Sequence, residues 1–233
     1  FPITVKVTDG NGCTGISATY NLTIACQTIT VTNPATTTGT VNAAFSQTFT
    51  QVGAIGTATF TTSSTLPNGL TLSTAGVLCG TPSQSGSFPI VVIVTDSNGC
   101  TGTGATYNLV INCQTITVTN PVNTNGTVGT LFSETFTQTG ALGGATFTTA
   151  STLPAGITLS TGGVLSGTPT QSGSFPIVVT VTDGQNGCTG TSTTYNLVIA
   201  CQVITVTNPG VTTGTVDSVF SQTFTQTGAI GTA

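Results

Sequence analysis

Short runs in which apolar and polar residues alternate cover most of the chain. Phe45 and Phe49 fall on one face of such a run, and Tyr107, Leu109 and Ile111 fall on one face of another. A period of two residues predicts half-buried β-strands. Asn-Pro and Asn-Gly pairs separate the runs as turns, and no stretch has the 3.6-residue period of a helix. The alternation therefore predicts an all-β fold.

The longest alternating run spans residues 88–94. Its even-numbered positions, from Phe88 to Val94, are apolar and lie on one face, with Val91 and Ile93 on the other. We expect one long strand here, close to the end of the repeating unit described next.

The chain is internally repetitive. A segment of the form Cys-Gln-x-Ile-Thr-Val-Thr-Asn-Pro begins at Cys26, Cys113 and Cys201, at spacings of 87 and 88 residues. Solenoid coils take about 20–45 residues, so this period fits a whole β-sandwich domain of about 100 residues better. We expect two complete repeats, 26–112 and 113–200. Residues 1–25 would be the C-terminal strands of a preceding repeat and 201–233 the N-terminal strands of a following one, in a window of a longer array.

Two long motifs recur in both complete repeats. LPNGLTLSTAGVLCGTP at 66–82 returns as LPAGITLSTGGVLSGTP at 153–169, and VTDSNGCTG at 94–102 returns as VTDGQNGCTG at 181–190. These motifs resemble the bacterial "putative Ig" repeat, and the Asn-Gly-Cys version is similar to those of Bacteroidota. The resemblance implies tandem immunoglobulin-like, cadherin-like sandwiches of very large secreted or surface proteins. Such repeats serve as stalks, spacers or adhesive units.

Six of the seven cysteines recur at fixed positions of the repeat. Cys13, Cys100 and Cys188 follow Asn-Gly, whereas Cys26, Cys113 and Cys201 open repeats. Regular cysteines in a Thr-rich β array indicate disulfides in an oxidising, extracellular setting. The alternative is a set of reduced, buried thiols, which we disfavour because we expect the loop cysteines to be exposed.

The pairing of these cysteines follows from distance and from the resemblance. Cys13 lies in the loop before one predicted strand and Cys26 at the far end of that strand. About eight extended residues separate the two ends, which is roughly 26 Å at about 3.3 Å per residue, whereas a disulfide needs Cα atoms within about 7 Å. In an immunoglobulin-like sandwich the chain enters at the end that carries the loop between the last two strands. The resemblance thus implies the pairs Cys26–Cys100 and Cys113–Cys188. Cys13 and Cys201 would pair with cysteines outside this window.

Cys79 is the seventh cysteine, and Ser166 takes its place in the next repeat. The fold therefore does not need a thiol there, and we expect a free, inert side chain. An interchain disulfide is the alternative.

Asp9, Asp96 and Asp183 recur in Val-Thr-Asp just before the cysteine loop. We expect each to cap an Asx turn. The alternative is a calcium ligand by analogy with cadherins, but calcium takes six to eight oxygens and each repeat offers one carboxylate here.

The chain is almost uncharged. It has one Lys, no Arg, no His and five acidic residues, so 3% of it is charged, compared with about 25% in soluble domains. Nucleic-acid binding needs a basic patch, and His-dependent triads or zinc sites need His. We therefore predict that the chain is not an enzyme and that it binds no cofactor, no metal and no nucleic acid. No apolar stretch reaches the length of a membrane span.

Two further predictions concern single side chains. Asp217-Ser218-Val219 resembles the short O-glycosylation acceptor of Bacteroidota, and sugar on Ser218 would help to solubilise an uncharged surface. Tyr20, Tyr107 and Tyr195 share one strand position, and we expect them to be core or corner tyrosines.

The leading functional hypothesis is a structural repeat of a long extracellular fibre, stalk or filament, on or released from a bacterial surface and serving adhesion. Its partners would be neighbouring repeats and like chains. The alternatives are a partner- or carbohydrate-binding adhesin module and the spacer of a large secreted enzyme.

Overall fold

The computed structural model describes residues 1–230, and every regular element in that range is a β-strand. The predicted all-β class is therefore confirmed. Abundant Thr and Val favour this outcome, because branched side chains pack well on a pleated, half-buried surface. Most of residues 1–110 form one compact unit and most of residues 111–230 form another.

The strands up to Asn112 are β1 Pro2–Ile3, β2 Lys6–Thr8, β3 Thr14–Ile16, β4 Tyr20–Asn21, β5 Thr30–Thr32, β6 Thr38–Thr40, β7 Phe45–Thr48, β8 Thr50–Val52, β9 Thr59–Thr62, β10 Leu70–Leu72, β11 Val77–Gly80, β12 Gly86–Ile90, β13 Val92–Thr95, β14 Thr101–Thr103 and β15 Tyr107–Asn112. The remaining strands are β16 Thr117–Thr119, β17 Asn125–Thr127, β18 Phe132–Thr135, β19 Thr137–Thr139, β20 Ala145–Thr149, β21 Ile157–Leu159, β22 Val164–Gly167, β23 Gly173–Ile177, β24 Val179–Asp183, β25 Thr189–Thr191, β26 Tyr195–Ala200, β27 Thr205–Thr207 and β28 Thr225–Thr227.

The two complete repeats share one topology. In the first, the strand orders are β5-β8, β10-β11-β7, β9-β13-β14 and β12-β15-β6, and in the second they are β16-β19, β21-β22-β18, β20-β24-β25 and β23-β26-β17. The short β17 runs parallel to β26, whereas the other ladders of this repeat are antiparallel. Each repeat is thus an immunoglobulin-like sandwich, in which an early strand crosses over to pair with the last one.

The core of the second repeat lies between the two layers. Phe132 and Phe136 come from one layer and meet Tyr195 and Leu197 from the other, and all four are at most 4% exposed. The rings of Phe136 and Tyr195 pack edge to face with centroids 5.3 Å apart. Burying a side chain of this size contributes roughly 1.5–3 kcal/mol, so the alternating apolar positions supply the stability of the sandwich.

The predicted faces of the first repeat are confirmed as well. The apolar residues of β7, the following Phe49 and the last strand β15 are all buried, namely Phe45, Phe49, Tyr107, Leu109 and Ile111.

The predicted single strand over residues 88–94 is wrong, because it is interrupted at Val91 between β12 and β13. The second repeat shows the cause. Ile177 pairs with Tyr195, and the pairing resumes with Thr180 and Thr191, so two residues on one strand face three on the other. This extra residue is a β-bulge. Apolar alternation continues across it, which is why the pattern gives no sign of the break.

Side chains from the neighbouring strand satisfy the backbone at this break. The Val178 N–H donates to Ser151 Oγ at 2.9 Å, and Thr149 Oγ1 donates to the Val178 carbonyl at 2.7 Å. In the first repeat Val91 has the same two partners, Ser64 at 3.0 Å and Thr62 at 2.7 Å.

Segments 1–25 and 201–230 form small ladders, β1-β4, β2-β3 and β27-β28. Many of their apolar side chains are exposed, among them Tyr20, which is 63% exposed. The expectation that Tyr20 is a core or corner residue is therefore wrong in this structure, because these short ladders do not enclose it. The assignment of 1–25 and 201–233 to neighbouring repeats stays a prediction, and residues 231–233 lie outside the described part of the chain.

Candidate functional site

Each complete repeat has two cysteines joined at one end of its sandwich. Cys26 binds Cys100 with Cα atoms 5.4 Å apart, and Cys113 binds Cys188 with Cα atoms 5.6 Å apart. The predicted pairing is confirmed. In both repeats the bond ties the residue that opens the repeat to the loop that precedes the last strands, and the sequence separations are 74 and 75.

The expectation that the loop cysteines are exposed is met by Cys13 and is wrong for Cys100 and Cys188. Cys100 is 6% exposed and Cys188 is 1% exposed, whereas Cys26 and Cys113 are exposed. The loop folds inward because the carboxylate of the aspartate at its start accepts hydrogen bonds from N–H groups of the loop. We call this arrangement of disulfide, aspartate and following Gln the cysteine–aspartate cluster. It comprises Cys26, Gln27, Asp96 and Cys100 in the first repeat, and Cys113, Gln114, Asp183 and Cys188 in the second.

Asp96 is the centre of the cluster in the first repeat and is 5% exposed. Its Oδ1 accepts the N–H of Asn98 and of Cys100, each at 2.9 Å. Its Oδ2 accepts the Gln27 side-chain amide at 2.5 Å and the Ile55 N–H at 3.2 Å. The predicted Asx turn is confirmed, and the same carboxylate also holds the opening segment and a third loop.

Asp183 is the centre of the cluster in the second repeat and also accepts four hydrogen bonds, although the loop there is one residue longer. Its Oδ1 accepts the N–H of Gln185 and of Gly143, each at 2.9 Å, and its Oδ2 accepts Gln114 Nε2 at 2.7 Å and the Leu142 N–H at 2.8 Å.

The inserted residue changes which side chain holds the cysteine. The Cys188 N–H donates to Asn186 Oδ1 at 2.9 Å instead of to the aspartate. Asn186 Nδ2 in turn donates to Gln114 Oε1 at 3.2 Å. The longer loop is therefore accommodated by adding one partner, and the cluster is preserved.

These hydrogen bonds set the ionisation of both carboxyls. Burial by itself raises the pKa of Asp96, but the N–H groups of Ile55, Gln27, Cys100 and Asn98 outweigh it, so that the pKa lies below its ordinary value.

The pKa of Asp183 is lowered in the same way. Burial raises it, and the N–H groups of Leu142, Gln185 and Gly143 and the Gln114 amide lower it by more. The oxygens of both aspartates thus already accept N–H donors, which is an arrangement for a structural anchor and a poor one for a cation. Among residues 1–230, no group of three or more His, Cys, Asp or Glu side chains could hold a metal ion.

Gln27 and Gln114 are the members of the cluster to which no sequence motif pointed. The sequence did contain a signal for these glutamines, because Cys-Gln opens the repeat at Cys26, Cys113 and Cys201. The partner, however, is 69 residues away in sequence, and no local pattern connects the two.

The remaining cysteines lie away from the cluster. Cys13 and Cys201 are exposed and have no disulfide partner within the described residues. Cys79 is half-buried and also unpaired within that range. It lies in the central strand β11 opposite Thr71 and Ser46, whereas its counterpart Ser166 lies opposite Thr158 and Ser133.

Ser218 is exposed and lies just after a turn. Asp217, which precedes it, has a positive φ of 62°, as does Asn42 at the equivalent position, and Gly129 there has a φ of 79°. Asn, Gly and Asp are the residues that tolerate this backbone conformation. The turn therefore accounts for Asp217 without any role in glycosylation, and sugar on Ser218 stays a prediction.

Tyr107 and Tyr195 are core tyrosines, as expected. Each is 2% exposed, and each hydroxyl donates to a backbone carbonyl near the start of its repeat, that of Thr36 and of Asn123 respectively. Burial, followed by the nearby Glu134 carboxylate, raises the pKa of Tyr195 to about 12.

No helix within the described range has the length and apolar character that a bilayer span requires. The sequence matches one family model twice, over residues 27–112 and 114–200, and that model describes the "Putative Ig domain". No curated protein matches the sequence.

Several solved structures share the architecture at low identity. Drosophila N-cadherin EC1-3 is 12% identical with a TM-score of 0.32, over 75% of this chain and 68% of that one. The N-terminal eight Ig domains of Down Syndrome Cell Adhesion Molecule are 11% identical with a TM-score of 0.34, over 89% of this chain and 32% of that one. Fibronectin(III)-like modules of Clostridium thermocellum CbhA are 14% identical with a TM-score of 0.28, over 73% of this chain and 94% of that one. Likenesses this weak carry no argument about function.

Proposed function

This chain belongs to the "Putative Ig domain" family, and we propose that it is a structural segment of a long extracellular fibre or stalk. In this role it holds other parts of an assembly at a distance from one another, and it supports adhesion. Ig-like domains are generally non-catalytic, and we propose that this segment is not an enzyme.

The observation that carries the proposal is the direct succession of disulfide-tied repeats. β15 ends at Asn112, and the next residue, Cys113, is already bonded to Cys188 of the second repeat. At Ala200, β26 likewise ends directly before a cysteine, Cys201. With no linker residues between strand and disulfide, a repeat has little slack at its entry, which suits a stiff array.

The extracellular setting is supported by the two disulfides, because such bonds persist in oxidising compartments. A location on or near a bacterial surface, with an origin in Bacteroidota or their relatives, is the finer form of the proposal and rests on the motif resemblance. Cys13 and Cys201 are proposed to pair with cysteines of further repeats in the same way as the two observed pairs.

Like chains are the proposed lateral partners. One outward sheet face of the second repeat carries two rows of threonines in register, Thr146–Thr182–Thr189 and Thr148–Thr180–Thr191. The outer four are exposed and the middle two half-buried. Such a face offers hydroxyl groups without charge, so it can approach another copy with little repulsion.

Carbohydrate binding through aromatic stacking is a weaker alternative. The chain has no Trp, and the tyrosines of the two complete repeats, Tyr107 and Tyr195, are buried with their hydroxyls bonded to the backbone. A spacer within a large secreted enzyme would use the same stiff array, so it differs from the main proposal only in what the array connects.

Solution scattering of lengthened chains tests the proposal. Copies of residues 113–200 are inserted after Ala200, so that one, two or three repeats are added to the natural chain. We expect the maximum dimension to grow linearly by roughly 30–40 Å per added repeat, the length of strands of about eight to ten residues with their loops. Growth with the cube root of the mass would show a globular assembly and would contradict the stalk proposal.

A further inference from the structure

The position of the disulfides within each repeat has a mechanical consequence. We propose that each oxidised repeat is an inextensible link, in which tension bypasses the sandwich through the disulfide and one strand. The cysteine–aspartate cluster would then be the point at which tension enters the repeat.

The covalent path through the second repeat is short. Tension that arrives at Cys113 crosses the disulfide to Cys188, whose Cα atom is 5.6 Å away. From there it follows only the segment 189–200 to the end of the repeat. Residues 114–187 form a closed loop beside this path. The covalent backbone of this loop lies off the load path, whether the loop is folded or not.

The segment on this path is already nearly extended. The strands β25 and β26 cover most of it, and a strand rises by about 3.3 Å per residue against a limit of about 3.6 Å. Pulling the segment straight therefore adds less than about 10 Å. The strand β26 is also held from both sides, by five residue pairs with β23 and three with β17.

The first repeat has the same path. The bond Cys26–Cys100 leads into the segment 101–112, which is as long as the segment 189–200, and Asn112 is bonded directly to Cys113. Two links thus follow each other in the covalent chain without an extensible segment between them.

Reduction removes the bypass. A reduced repeat, with the whole of 113–200 under load, can extend to about 300 Å, compared with about 45 Å for the strand path, at about 3.3–3.6 Å per residue. The same repeat therefore lengthens by about 250 Å when it unfolds under load. The disulfide determines whether a repeat behaves as a fixed link or as an extensible one.

Single-molecule stretching of the full chain between handles at its two ends tests this. Every sample carries C13S and C201S to prevent bonds between chains. In the oxidised chain we expect no step above about 10 Å from either repeat, which is the slack left in an extended strand. After a reductant is added to the same tethered molecules, we expect two steps of about 250 Å, the contour length that each loop releases.

Two substitutions make the test specific. C188S should yield one long step while the first repeat stays locked, and C100S should move the long step to the first repeat. C79S is the matched control, because Ser166 shows that the fold accepts serine there, and it should leave both repeats locked. Should C188S fail to fold, reduction of the tethered natural cysteine pairs still decides the outcome.

Long steps in the oxidised chain, or locked repeats after reduction, would overturn the inference. It concerns bonds within one repeat, so it stands or falls separately from the scattering series. A globular array with locked repeats would reject only the stalk, and a rod with extensible repeats would reject only the bypass.

Discussion

The side-chain amide of Gln114 lies 2.7 Å from the carboxylate of Asp183, 69 residues further along the chain. Gln27 and Asp96 meet in the same way, at the same sequence separation. This hydrogen bond fastens the start of a repeat to its last loop beside the disulfide. A repeat is therefore closed at one end by both a covalent and a charge-assisted contact.

Acid should weaken this closure. The pKa values of Asp96 and Asp183 are lowered in the folded state, so the folded chain binds fewer protons than the unfolded one around pH 4. The stabilisation is complete above the unfolded pKa of about 3.9 and is lost as the pH falls through the lower folded values. Thermal unfolding between neutral and strongly acidic pH should show a melting temperature that drops below about pH 4.

The double variant D96N/D183N should flatten this drop. D217N is the control, because Asp217 is exposed and Asn42 occupies the equivalent turn position. If the double variant and the control lose stability in acid as steeply as the natural chain, the two carboxylates are not the acid-sensitive groups.

Loss of a disulfide should cost far more than loss of the free thiol. Cys100→Ser opens the loop closed by Cys26, and removing a native disulfide typically costs about 2–5 kcal/mol. Cys79→Ser should change the free energy of unfolding by less than about 0.5 kcal/mol. Denaturant titrations of the two variants measure both numbers. Equal stabilities would mean that the bond adds nothing to the fold.

Removal of the Tyr195 hydroxyl should destabilise the second repeat. Tyr195→Phe leaves the Asn123 carbonyl without its donor, at a cost of about 1–2 kcal/mol. The raised pKa of Tyr195, about 12, means that the natural chain also loses stability above the unfolded value of about pH 10. The variant should lose less there. Tyr20→Phe, at an exposed position, is the control for both measurements, and an equal effect of the two substitutions would contradict this account.

Replacement of Gly140 by alanine should destabilise the fold, whereas replacement of the nearby Gly144 should not. Gly140 has a φ of +99°, and a Cβ added to it would overlap the Thr115 carbonyl oxygen. Gly140→Ala should therefore cost about 2 kcal/mol or more. A Cβ on Gly144 meets nothing within 4 Å, so Gly144→Ala should be nearly neutral. Chemical unfolding compares them, and similar midpoints would refute the predicted close contact.

Assembly should be nearly independent of salt. The surface carries very little charge, so contacts between threonine faces are hydrogen bonds that ions do not screen. Lengthened chains should associate more strongly than the natural one, because docking of one repeat holds the next in register. Sedimentation at low and high salt measures this. Long chains that stay monomeric at high concentration, or assemblies that salt alone dissolves, would contradict it.

The buried faces of most strands could be predicted from the sequence, and so could the disulfide pairs once the resemblance was added. Faces such as Phe45 with Phe49 follow from alternation alone, because one side of each strand must be buried. Cys26–Cys100 needed the resemblance to an immunoglobulin-like sandwich, since distance along a strand only excluded the neighbouring cysteine.

The β-bulge and the cysteine–aspartate cluster could not be predicted in this way. Ile90 and Val92 keep their apolar alternation across the break at Val91. The side chains that bond the backbone of Val91, those of Thr62 and Ser64, lie far from it in sequence, with β10, β11 and β12 in between. The burial of Cys100 depends likewise on bonds that Asp96 forms across three loops. Contacts of this range depend on the folded topology and leave no local pattern.

The extra residue in the Asp183 loop does not prevent recombination between the two repeats. Because the insertion lies in a turn, between β24 and β25, the ladders of the two repeats keep equivalent registers. A recombination event that joins residues 26–72 to residues 160–200 would therefore yield a complete hybrid, with Cys26 able to reach Cys188. Unequal crossing-over at equivalent positions of two such repeats would add or remove one complete repeat.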